Sequence, residues 1–519
     1  YGFGVYYKAL FLHYGTLKLN NNINIPSLTE GGQDFNLIPT ACLWVNGANV
    51  STTVTGVNGT GYQAATLYGK LRISAGTFST GDAAGLVLGT LGTPYIMVEG
   101  TGTLDASQVW AAVGGGNIIT YYQTGGTVNI RLQGENHAGP MLGLNDPSNV
   151  FIMTGGTLNF TDVTFIGGGT CTQIMDLRSN SNNFNVGGDA TVNFNLPSGY
   201  TYTVNTTVPF NNLNITRRTG AGTVTIQFLN TSSTNVTVMN NLLVSDNTVL
   251  DLATNNLNLT VGGNFTLNAN ATYSPGTNTT TFNGLAGQVF ANNGTITSGL
   301  YNMTVTNRSN TNISQNLTIR NNLAIDESCF LQDMGRTINV GGSITNSGTH
   351  ISQASGSITL TGNTAQTIGG NGNGAFGNLN INKTGGSVTM AANQRINGNL
   401  RLASNYILDI GTYKLTFSST SNIYDALTGT GTAFSGTKMI RTAGNMSDGG
   451  VSKEFGSTSP FLFPFGTASD YTPATIQFSS APSAWGTVNI KPVARYQNYV
   501  TSSNSLDYYW KVTSTGFSG

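Results

Sequence analysis

The residues able to do acid–base or metal chemistry are few in this chain, and their spacing limits what they can do. Its 519 residues include 21 Asp and Glu, 21 Lys and Arg, three His and three Cys. The densest polar constellation is Gln133-Gly-Glu135-Asn-His137-Ala-Gly-Pro140, a carboxylate and an imidazole in a segment that reads as a loop. Such a pair is the minimum for general acid–base work on a glycan, which needs its acids and bases on one face. Asp326-Glu327 is an adjacent acidic pair, but the corresponding positions in sister repeats are Ser245-Asp246 and Ala403-Ser404. A pair that drifts between copies reads as a solvated turn. His13, His137 and His350 are too scattered for a histidine-rich metal site. Calcium finds no supporting motif, since Asp-x-Asp-x-Asp and Gly-Gly-x-Gly-x-Asp are both absent, and only a carbonyl-built site would leave no trace. Gly114-Gly-Gly116 and Gly167-Gly-Gly169 lack the Lys-Ser/Thr and the helix of a phosphate loop. Cys42, Cys171 and Cys329 lie far apart with no CxxC spacing and are expected as buried free thiols. The expectation is a non-enzyme with no catalytic, cofactor-binding or metal residues. Glu135, His137 and Trp485 are its candidate ligand contacts.

The elements that would carry these residues are strands. Charged residues make up 8% of the chain, against about 25% in an ordinary soluble domain. Gly, Asn and Thr, all poor helix formers, dominate instead. Short runs alternate apolar residues with Thr, Asn or Ser, as in Leu257-Asn-Leu-Thr-Val261 and Ser357-Ile-Thr-Leu-Thr361, which places one face in a core and one in water. A net charge of zero gives no electrostatic case for nucleic acid. No apolar run is long enough to span a membrane.

Repeats organise these strands. Phe210-Asn-Asn-Leu-Asn-Ile215 recurs as Leu300-Tyr-Asn-Met-Thr-Val305 and Phe376-Gly-Asn-Leu-Asn-Ile381. A second block, Asn240-Asn-Leu-Leu-Val, recurs as Asn321-Asn-Leu-Ala-Ile and Gly398-Asn-Leu-Arg-Leu. Earlier, Tyr122-Gln-Thr-Gly-Gly-Thr-Val128 and Ile152-Met-Thr-Gly-Gly-Thr-Leu158 share a strand, a glycine turn and a strand. A string of antiparallel sandwiches fits this pattern, but an elongated parallel β-solenoid, with coils of roughly 20 to 25 residues, fits it better. The expected fold is therefore all-β. Residues 1–200 form a solenoid with irregular coils, and 201–435 a solenoid of three roughly 78-residue repeats. Residues 436–519, richer in Pro and aromatics, form a β-sandwich-like module.

The repeats, with the tail segments Thr437-Lys-Met-Ile-Arg-Thr442, Phe461-Leu-Phe-Pro-Phe-Gly-Thr467 and Tyr509-Trp-Lys-Val512, resemble the giant repeat-containing cell-surface proteins of Bacteroidota. Those proteins are exported by the type IX secretion system, and some are gliding-motility adhesins. The resemblance implies an extracellular, surface-held protein. Its partners would be surface polysaccharide or substratum and outer-membrane secretion or anchoring components. The chain starts at Tyr1 without Met and stops after a strand-like run, so it is expected to be a window on a longer polypeptide. The function expected is a structural and adhesive fibre for attachment or surface motility. The alternatives are a secreted β-helix enzyme or glycan binder, resting on Glu135 and His137, and a secretion cargo bound to its translocon.

Overall fold

The computed structural model describes residues 10–28, 34–54, 65–81, 85–111, 117–131, 139–164, 170–403, 405–428, 433–497, 500 and 505–518. Every helix or strand among them is a strand. The strands pair parallel with those one coil away, which makes the chain a parallel β-solenoid. It divides into two compact units, residues 1–276 with 293–296, and residues 277–292 with 297–519.

In the first unit one sheet is built from long strands: Ala41–Thr53, Lys70–Ser79, Thr120–Arg131 and Val150–Asp162. Their inward columns are apolar. Leu43, Leu71, Ile96, Tyr121 and Phe151 form one, and Leu104, Val128, Leu158, Val192 and Leu213 another. All are buried, and Tyr121 stacks on Phe151 at 4.9 Å between ring centres. Each fully buried Leu, Ile or Phe contributes roughly 1.5–3 kcal/mol relative to exposure. A second sheet of eleven strands, running from Phe35–Leu37 to Thr295–Ile296, closes the other side.

The Thr-Gly-Gly-Thr motif forms a corner within a long strand. The register shifts at Thr124 and resumes at Thr127, so Gly125-Gly126 bends the strand without ending it. Gly156 takes φ +76 there, and a Cβ on it would lie 2.4 Å from the Gly125 carbonyl oxygen of the coil below.

In the second unit three parallel sheets surround the core. One is the six-stranded sheet Leu317–Ile319, Thr337–Val340, Ser357–Leu360, Leu379–Ile381, Leu400–Leu402 and Ile423–Tyr424. The recurrent Asn-Leu-x-Val/Ile is explained by its turns. Asn378 Oδ1 accepts the Asn399 N–H at 2.9 Å, and Asn399 Oδ1 accepts the Asn422 N–H at 3.1 Å. Asn302 and Asn322 do the same for Asn322 and Ser343. Each side chain thus satisfies a main-chain donor one coil on, and the first of these steps is 21 residues. Asn378 is 6% exposed and also donates to the Gly356 carbonyl at 2.8 Å. Asn378→Ala orphans both groups, so we expect a loss of about 2 kcal/mol in a denaturant titration. An unchanged midpoint would mean that the ladder adds nothing to stability.

Residues 436–519 combine two pairing modes. Ile440–Thr442 and Phe465–Gly466 extend a parallel sheet. Gly450–Glu454 is parallel to Lys414–Phe417 on one side and antiparallel to Thr487–Val493 on the other. Tyr509–Thr515 continues the antiparallel pairing.

Candidate functional site

Since the core columns point inward, the side chains available for contact are the alternate ones on the long strands of the first unit. Beyond the glycine corner they form two columns. One runs Ser51, Thr77, Thr103, Thr127, Thr157, Thr191, Asn212, and the other Thr53, Ser79, Asp105, Asn129, Asn159, Asn193, Asn214, with Ser79 alone among them buried. Rungs of a parallel sheet stand about 4.8 Å apart. The asparagines bond head to tail: Asn159 Nδ2 donates to Asn129 Oδ1 at 2.9 Å, Asn193 to Asn159 at 2.7 Å and Asn214 to Asn193 at 2.8 Å. β-branched threonines are stiff at χ1, so this face is fixed before anything meets it. Its charged member, Asp105, is paired with Arg131.

Before the corner the same strands carry a different face. Lys18, Trp44, Arg72, Met97 and Tyr122 form one outward column, and Cys42, Lys70, Tyr95 and Thr120 its neighbour. Trp44 is covered on both faces, by the Lys18 Nζ at 3.8 Å and the Arg72 guanidinium at 4.1 Å from its ring centre. Its Nε1 donates to Ser74 Oγ at 2.6 Å. Ser74 and Arg72 both donate to Glu99 Oε1 at 2.7 Å. Tyr95 and Tyr122 lie 6.3 Å apart at 23°. Burial, followed by the Tyr122 and Glu99 charges, pushes the Tyr95 phenol up. Burial also raises the Cys42 thiol, which keeps it protonated near neutral pH.

Glu135 and His137 lie outside the described residues. Trp485, half-buried, meets Phe478 edge-on at 5.5 Å, and Phe478 also packs on Phe455 and Phe517. That is the geometry of a small aromatic core. Asp326 and Glu327 sit exposed in a turn. A cleft of about 200 Å³ in the first unit is lined by Phe184, Thr207, Pro209, Ser233, Asn235 and neighbours, without a carboxylate or imidazole.

Sequence reasoning missed the buried pair of Asp333 and His350, side chains 0% exposed with Nε2 3.2 Å from Oδ2. Asp333 Oδ1 also accepts the Gly335 and Gln353 N–H groups. Burial raises the Asp333 carboxyl, but bonds from His350, Ser352 and these amides outweigh it and hold it below its usual range. Closed to solvent, Asp333 ties its own turn to the turn at Gln353 one coil on through these amide bonds. Among the described residues, no group of three or more His, Cys, Asp or Glu is placed to hold a metal. Among the described residues, no helix is long and apolar enough to cross a membrane.

Fold and face together define a parallel β-solenoid repeat protein with stacked polar columns on its outer surface. No family model, curated protein or solved structure matches the chain.

Proposed function

We propose that this chain is a structural and adhesive segment of a cell-surface protein, its coils serving as spacer and its outward columns as contact surface. The observation that carries this reading is the unbroken register of the Thr and Asn columns from Ser51 and Thr53 to Asn212 and Asn214. A rigid, nearly uncharged grid of hydroxyls and amides suits weak, multiplied contact with a solid or polymeric surface, where avidity replaces a deep pocket. The antiparallel strands within 436–519 would close the stack, the role a terminal cap has in repeat proteins, and we read that segment as sandwich-like. Export to the surface of a Bacteroidota cell follows from the resemblance of the repeats and tail.

The test is attachment of inert beads coated with the chain to glass and to insoluble polysaccharide. Replacing Thr103, Thr127, Thr157 and Thr191 together with Glu puts like negative charges on adjacent rungs at the centre of the grid. We expect at least about tenfold weaker attachment, the equivalent of some 1.4 kcal/mol. Retained attachment with an unchanged fold would remove the columns from the mechanism.

A further inference from the structure

From the other outward face of the first unit we infer that Lys18, Lys70 and Arg72 bind a linear anionic polysaccharide of the polyuronate class, with Trp44 and Tyr95 holding the cations in place. The inference rests on the adhesive reading and gives that reading a ligand. Charge complementarity carries it. Elsewhere on this unit, Arg131, Arg178 and Arg218 are neutralised by Asp105, Asp176 and Asp162, and Arg217 donates instead to the Gly222 carbonyl. In contrast, Lys18 and Lys70 pair with no described carboxylate, and both are exposed. Glu99 engages Arg72 through its Nε and Nη2, which leaves Nη1 of the guanidinium outside that pair. The patch therefore keeps a net positive charge on a chain whose total is zero.

The cations are also fixed in place. Lys18 and Arg72 sit two strand spacings apart, about 10 Å, on opposite faces of one indole. That indole is tied down through Ser74 to Glu99. Lys70 lies over the Tyr95 ring at 6.0 Å, two residues from Arg72 on the same strand. Cation–π seating reduces the conformational freedom that long basic side chains would lose on binding. A sheet face with positive charges two strand spacings apart suits an extended polymer with a carboxylate on each sugar. Single-stranded nucleic acid fits less well, because base stacking needs a bare aromatic face and Trp44 has none.

The measurement is binding of the purified chain to polygalacturonate, to dextran and to a single-stranded DNA oligonucleotide, each across a salt series. We expect polygalacturonate binding that weakens as salt rises, and no binding to dextran. The exposed double variant Lys18→Ser/Lys70→Ser should lose at least about tenfold in affinity with an unchanged unfolding midpoint. Trp44→Leu, which keeps the charges and removes their seat, should lose less than the double variant but more than wild-type scatter. No polygalacturonate binding, equal binding to dextran, tighter binding to DNA, or undiminished binding by the double variant would each overturn the inference. The threonine grid is untouched by these variants, so bead attachment through it stands or falls separately.

Discussion

Replacing Lys453 with methionine is expected to destabilise the second unit by about 3 kcal/mol, although the lysine lies near no candidate contact surface. The side chain points inward, in the column Phe376, Ile396, Phe417, and is 4% exposed. Its ammonium donates to three main-chain carbonyls of one turn, Ser418 at 2.7 Å, Ser419 at 3.0 Å and Ser421 at 2.7 Å, and lies 4.7 Å from the centre of the Phe461 ring. Methionine fills similar space but leaves three acceptors without a donor. Burial, opposed by the Glu454 charge, pulls the Lys453 pKa from 10.5 to about 8. Between those values the unfolded chain holds a proton that the folded chain has released, so stability rises with pH across that window. Below pH 8 both states hold the proton and the burial penalty is present in full. Denaturant midpoints at either end of the window should show this rise in the wild type and not in Lys453→Met. A variant with the wild-type midpoint and the same rise would show that the carbonyl cage is idle.

Gly156→Ala should cost about 3 kcal/mol or more, a large effect for one methyl group. The new Cβ would meet the carbonyl oxygens of Gly125 and Gly126 at 2.4 and 2.5 Å, and φ is +76. Both oxygens belong to the backbone of the coil beneath, so neither can rotate away. The control lies in the next coil of the same corner, where Gly187 has no atom within 4 Å of an added Cβ and no positive φ. Limited proteolysis should find Gly156→Ala cut readily and Gly187→Ala as resistant as wild type. Equal resistance in both would mean that the corner relaxes and the coils are not in rigid register.

These two residues also mark what the sequence discloses. Strand alternation and the recurrent Asn-Leu-x-Val/Ile are local, and they led directly to a parallel coil. The two repeat blocks separated by sequence turn out to do one job, since Asn212 and Asn241 cap successive turns, as do Asn378 and Asn399. The Thr-Gly-Gly-Thr segments were legible as turns, but not as bends inside continuous strands. Lys453 gave no signal because its partners are main-chain carbonyls, which every residue carries. Trp44 gave none because its partners lie a coil away on either side, and coil lengths in the first unit are irregular. The composition shift near residue 436 is real, yet Ile440–Thr442 and Phe465–Gly466 still pair parallel. A change in side-chain type need not change the ladder of main-chain bonds.

The hydrogen bonds of the six-stranded sheet run from coil to coil, along the stacking direction. Tension in that direction would load the rungs in series, so the weakest yields first while the others keep their register. With the 21-residue spacing of Asn378 and Asn399, one freed coil releases about 70 Å of extended chain. Under such a load the sheet would lengthen in discrete steps of one coil rather than all at once.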